Sequence, residues 1–254
     1  MTRRDGRPSA EPRAVVMAPG FHRNAEGSVL YRAGGTAVLC TASVSEDVPK
    51  WLGDRAEGWL AAEYQMHPRS SPLKREPREG RDRSPRGRTM EIQRLVGRAL
   101  RSALDLGALG RRTITVDCDV LEADGGTRTA AVTGGFVAVV AALARLGLRG
   151  TPERPVLRDQ VAAVSVGLVH GAVLVDLDYS EDSTAEVDMN VVATLRGGLV
   201  EVQATAEGVA VERARFEAML DAALTAIGTL GEVQRRALGE AGLELGELVA
   251  PPPG

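Results

Sequence analysis

The chain has 254 residues, 44% of them hydrophobic and 26% charged, with a formal net charge of −3. That apolar content suffices for a large core, as one large domain or two fused halves, and excludes a disordered chain. Cys40 and Cys118 each sit in an alternating apolar pattern, and no apolar segment follows Met1–Arg7, so a reduced cytoplasmic protein is expected rather than a secreted disulfide scaffold.

In chain order, Arg3-Arg4-Asp5-Gly6-Arg7 is a small basic element, uninformative by itself. Gly27 to Val44 reads as a hairpin turning at Ala33-Gly34-Gly35, and Gly58 to Tyr64 as a further strand. Between His67 and Arg88, eight cations face three acids, a local +5 that leaves −8 on the rest of the chain. Positive charge gathered on an acidic body suggests a polyanion partner, and four prolines keep the segment out of regular helix. A helix is expected from Thr89 to Leu106, with Ile92, Leu95, Val96, Ala99, Ala103 and Leu104 as its apolar stripe and Arg94, Arg98 and Arg101 on a solvated face.

Thr113 to Val120 alternates as a half-buried strand, and Thr129 to Leu146 is apolar at helical spacing. The apolar run Ala130–Ala144 is too short for a bilayer and is expected to be a buried helix. In the second half, Val161–His170 pairs with Ala172–Tyr179 around Gly171, Glu186–Leu195 pairs with Leu199–Ala206, and Val211–Leu230 is a helix. This hairpin-rich order predicts an α+β fold of two similar halves without a residue-level repeat. Residues 1–254 read as one domain, with a disordered tail over 246–254.

Between that strand and helix lies Gly125-Gly126-Thr127-Arg128. A helix start offers unpaired N–H groups, glycines let an anion approach the main chain, and an arginine adds a fork matched to phosphate. A glycine turn with a solvated arginine has the same sequence. Arg88, entering the preceding helix, would make a second anion-binding end. Asp176, Asp178, Asp182 and Asp188 form an acidic set, of which Asp182 in a loop and Asp188 in a strand could converge on a hard cation such as Mg²⁺. Acids in a surface turn are also common. No P-loop or dinucleotide-binding glycine motif is present, and three scattered histidines do not suggest a zinc site or a triad.

Together these blocks resemble bacterial ribonuclease PH: Arg3-x-Asp5-Gly6-Arg7, Glu63-Tyr64 with Met66-x-Pro68-Arg69, Gly87–Arg94, Asp117–Val120 with Ala123–Thr129, and Glu181–Asn190, in that order. Gln65 and His67 depart from the family pattern. The resemblance implies two β-α-β-α halves, a hexameric ring built as a trimer of dimers, and a phosphorolytic 3′-to-5′ exoribonuclease that trims tRNA precursors and acts on rRNA. It implies that Arg88, Gly126, Thr127 and Arg128 bind inorganic phosphate as co-substrate, that Asp182 and Asp188 serve catalysis with Mg²⁺, and that Arg69, Lys74, Arg75 and Arg78 of the basic loop contact RNA. An inactive RNA-binding ring subunit and a hydrolytic metal-dependent nuclease are the alternatives.

Overall fold

The structure, a computed structural model, describes residues 3–71, 75 and 87–248. Among them, β1 (Val15–Pro19), β2 (Gly27–Ala33), β3 (Thr36–Ser45), β4 (Trp59–Met66) and β5 (Thr113–Glu122) form one sheet in the order β1-β2-β3-β5-β4. Only β4 and β5 run parallel, so the chain must cross over between them, and α1 (Gly87–Ser102) makes that crossing. The second sheet, β7-β6-β8-β9, is built from β6 (Val161–Val169), β7 (Ala172–Val175), β8 (Val187–Thr194) and β9 (Leu199–Ala206), all antiparallel. The remaining helices are α2 (Leu106–Leu109), α3 (Thr127–Arg145), α4 (Tyr179–Asp182) and α5 (Arg213–Glu240). Each half thus runs strands, helix, strand, helix, and the α+β expectation holds.

The core sits around α3, which packs against β2, β3 and β5 on one side and β6 on the other. By length and hydropathy α3 could cross a bilayer, contrary to the expectation that its apolar run is too short, but 78% of that window is buried inside the protein. β6 is buried at every residue because both its faces are covered. Val161 and Ala163 join the core around α3, whereas Ala162, Val164 and Val166 pack with Met219, Ala223 and Ile227 of α5.

Several elements differ from the sequence reading, among them the strand expected over Ala172–Tyr179, which ends at Val175 because Asp178 caps α4. The first helix stops at Ser102, because the Asp105 carboxylate accepts the Gly107 and Ala108 N–H groups and starts α2 afresh. The last helix runs ten residues past Leu230, because Gly231 is a contact rather than a stop: a Cβ there would lie 2.4 Å from Leu195 Cδ1. β1, a five-residue strand ending in proline, was not anticipated. In the expected tail, Leu245–Glu247 form a 3₁₀ turn and Leu248 is buried, while 249–254 lie outside the described residues.

Candidate active site

The anion turn has the geometry its glycines permit. Gly125 and Gly126 both have left-handed backbones, with φ of 79° and 65°, and Gly126 is the N-cap of α3. A Cβ on Gly125 would lie 2.3 Å from the Leu177 carbonyl oxygen, so the turn fits only without one. No side chain caps α3 and no acid lies in its first turn, which leaves the first-turn N–H groups and the positive end of a 19-residue helix facing the site. The turn's carbonyls are drawn the other way. Thr36 Oγ1 donates to Gly125 O at 2.7 Å, and Arg13 donates to Asp124 O at 2.6 Å.

Thr127 is the first residue of α3, and its Oγ1 lies 2.8 Å from the buried hydroxyl of Tyr64 on β4. Burial raises the Tyr64 phenol, and its bond to Thr127 and the charges of Arg88 and Arg128 pull against that rise. Arg88 is the second residue of α1; Thr89 lines one cavity with Tyr64, and Thr127 bonds Tyr64, so α1 and α3 both begin near that tyrosine.

The second half supplies the acids. Asp182 closes the single turn of α4 rather than sitting in an open loop, and Asp188 is half-buried on β8. Burial first, then the charge of Asp182, pushes the Asp188 carboxyl above its ordinary range, while Arg128, Asn190 and Arg88 pull it back. Asn190 Nδ2 donates to both Asp188 oxygens, at 3.4 and 3.3 Å. The structure thus brings Arg88, Gly126, Thr127, Arg128, Asp182 and Asp188 to one place, where cations and helix ends face a pair of carboxylates. Among the described residues no cluster of three or more His, Cys, Asp or Glu side chains could hold a metal. Two mutually repelling carboxylates nevertheless suit Mg²⁺, which uses one or two such ligands and keeps its other positions for water and phosphate.

The other two acids of the set do different work. Asp178 is the N-cap of α4, in a reciprocal capping box with Glu181. Asp176 is buried against Arg13, which donates from Nε and its backbone N–H to Oδ2 at 2.9 and 2.8 Å and from Nη2 to Oδ1 at 2.7 Å. Arg3 forks onto Glu181, at 2.8 and 2.6 Å, and Arg7 reaches the Asp176 carbonyl. The Arg-x-Asp-Gly-Arg element thus braces the site. Sequence reasoning missed this because Asp176 and Glu181 lie 169 and 178 residues from Arg7 and Arg3.

Arg69 is exposed and lines a cavity of about 530 Å³ with Arg4, Asp124, Tyr179 and Ser180, of which none is among the predicted phosphate or metal ligands. Arg75 is exposed, and Lys74 and Arg78 lie outside the described residues. The expected solvated face of α1 is only partly so. Arg98 forks onto Glu201 of β9, and Arg101 bonds Leu60 O and lies 4.4 Å over the Trp59 ring.

Comparison with known proteins fits this architecture. The model of the 3′ exoribonuclease family, domain 1, matches residues 11–148, and that of domain 2 matches 159–226. Rice (Oryza sativa) Rrp46 superposes with a TM-score of 0.75 at 18% identity, over 93% of this chain and 100% of that one. An Archaeoglobus fulgidus exosome with RNA bound to the active site gives 0.74 at 24% identity over 91% of each chain. An archaeal exosome core gives 0.72 at 23%, over 92% of this chain and 91% of that one. At such identities these structures share the fold, and the domain matches carry the assignment: the chain belongs to the ribonuclease PH family of 3′ exoribonucleases.

Proposed function

We propose that the protein is a phosphate-dependent 3′-to-5′ exoribonuclease that removes nucleotides from tRNA precursors, and from rRNA, releasing nucleoside 5′-diphosphates. The observation that carries this reading is the convergence of two helix N-termini and two arginines with a carboxylate pair in one site. A hydrolytic nuclease has no use for the second anion pocket.

Phosphorolysis brings an anion up to an anion, and their repulsion must be cancelled before attack. Arg88, Arg128 and the N–H groups following Gly126 hold inorganic phosphate. Asp182 and Asp188 hold Mg²⁺, which when bound supplies charge neutralisation at the scissile phosphate and the leaving 3′ oxygen. A phosphate oxygen bonds to the terminal phosphorus, the bond from phosphorus to the 3′ oxygen breaks, and the hydrogen phosphate's proton balances the freed 3′ hydroxyl. Phosphate is already ionised at neutral pH, so no strong general base is needed, and positioning with electrostatics supplies the acceleration. One phosphate linkage replaces another, so the reaction runs in both directions.

Arg69, with Lys74, Arg75 and Arg78, grips the tRNA body by its backbone, a contact weakened by salt. The family's structural neighbours include an exosome with RNA at its active site, which supports RNA as the polymer. The protein acts in the cytoplasm as a hexameric ring, a trimer of dimers. The test is to incubate it with a 3′-extended tRNA and Mg²⁺, with and without inorganic phosphate. Diphosphate products that require phosphate are expected. Monophosphates formed without phosphate would show hydrolysis, and RNA binding without turnover would show an inactive ring subunit.

A further inference from the structure

We infer that the N-terminal arm, through Arg3 and Arg13, positions the two halves of the active site relative to one another, so that the anion turn and the acid-bearing α4 are set by one strap of chain. The inference rests on the functional reading above.

Arg13 is buried and faces both ways. One edge of its guanidinium bonds Asp176, and the other bonds the carbonyls of Asp124 and Gly125, at 2.6 and 3.3 Å, in the anion turn. Asp176 has a left-handed backbone, with φ of 56°, unusual for a residue with a side chain. Five residues on from Asp176, Glu181 is held by two bonds from Arg3, which also donates to Val175 O and Asp176 O, at 2.8 and 3.0 Å. Glu181 completes the capping box of α4, whose last residue is Asp182. Holding these charges out of water is costly, and apolar side chains of similar volume would stabilise the fold as well or better. What an apolar pair cannot do is direct two carbonyls backward, so that the helix N–H groups face the site, while fixing the turn that carries Asp182. Arg3 and Arg13 touch no reacting atom and are positioning residues.

Two full-length variants test this. Arg13→Lys keeps a charge on Asp176 but cannot fork onto the turn. Arg3→Met combined with Glu181→Met removes both buried charges together. Inorganic phosphate binding is measured by calorimetry, Mn²⁺ binding in place of Mg²⁺ by paramagnetic resonance, and folding by the thermal midpoint. Arg13→Lys is expected to weaken phosphate binding roughly tenfold, and the double variant to weaken Mn²⁺ binding roughly tenfold with a near-parental midpoint. Folded variants with wild-type affinities would overturn the inference, as would a double variant that does not fold. If Arg13→Lys does not fold, the double variant decides. Wild-type protein that binds phosphate in an Arg13-dependent way but does not trim RNA would sink the exoribonuclease reading and leave the strap standing. Phosphate-dependent trimming with unchanged variant affinities would do the reverse.

Discussion

Four aspartates between residues 176 and 188 share one side chain and divide its uses by surroundings. Asp178 turns inward to cap α4, the charge of Asp182 raises the Asp188 carboxyl, and Asp176 is bound to Arg13. Burial alone would raise the Asp176 carboxyl, but the hydrogen bond and charge of Arg13 hold it below its ordinary value of 3.8. The native carboxyl therefore holds its proton less tightly than the unfolded one. Its contribution is complete above that ordinary value and is lost as the pH falls through the lower native value. Asp176→Asn leaves Arg13 buried without its partner and should cost about 3 kcal/mol at pH 7. That gap to wild type should narrow as chemical denaturation is repeated below pH 3.8. A constant gap would mean that the charge of Asp176 is not what stabilises. Sequence spacing picked Asp182 and Asp188 out of this acidic set but gave Asp176 no role, because its arginine comes from the other end of the chain.

At the scale of elements, the glycines of the anion turn show how local chemistry makes a helix end available. Gly125 and Gly147 both have positive φ, yet a Cβ at Gly147 would meet nothing within 4 Å, whereas at Gly125 it would strike backbone. Gly147→Ala should cost about 1–2 kcal/mol, the left-handed penalty alone. Gly125→Ala should cost more and should also weaken phosphate binding, because the turn must move. Equal losses in denaturant midpoints would mean that the close approach to Leu177 O is not a constraint. Hairpins were legible because their signals are local: His170 and Gly171, with φ of 49° and 74°, turn β6 into β7 where the sequence placed them. Helix ends were less so. Asp105 and Gly231 are read correctly only beside Gly107, Ala108 and Leu195, and only the structure places those neighbours. Tyr64 gave no pattern signal for its bond to Thr127, 63 residues away.

For the whole molecule, the site is a joint between halves. Tyr64, Arg88 and the anion turn come from the first, and Asp182 and Asp188 from the second. Its alignment depends on the core between them, where the fully buried Gln234 of α5 donates to Thr133 O of α3 and Val161 O of β6, at 2.9 and 3.0 Å, and accepts from Gln160 at 2.7 Å. These bonds tie α5 and β6 of the second half to α3 of the first. The proposed ring belongs to the same scale: light scattering should give the mass of six copies of the 26.8 kDa chain. A monomer at micromolar concentration would refute the hexamer without touching the site.

The arm has a consequence in time. Glu181 leaves the ribosome 178 residues after Arg3, roughly ten to thirty seconds later at ordinary rates of synthesis. During that interval the strap has nothing to fasten to, and the first half carries its anion turn without the acids or the brace. On the proposed function, a growing chain surrounded by RNA is unable to trim it until its second half has emerged and folded.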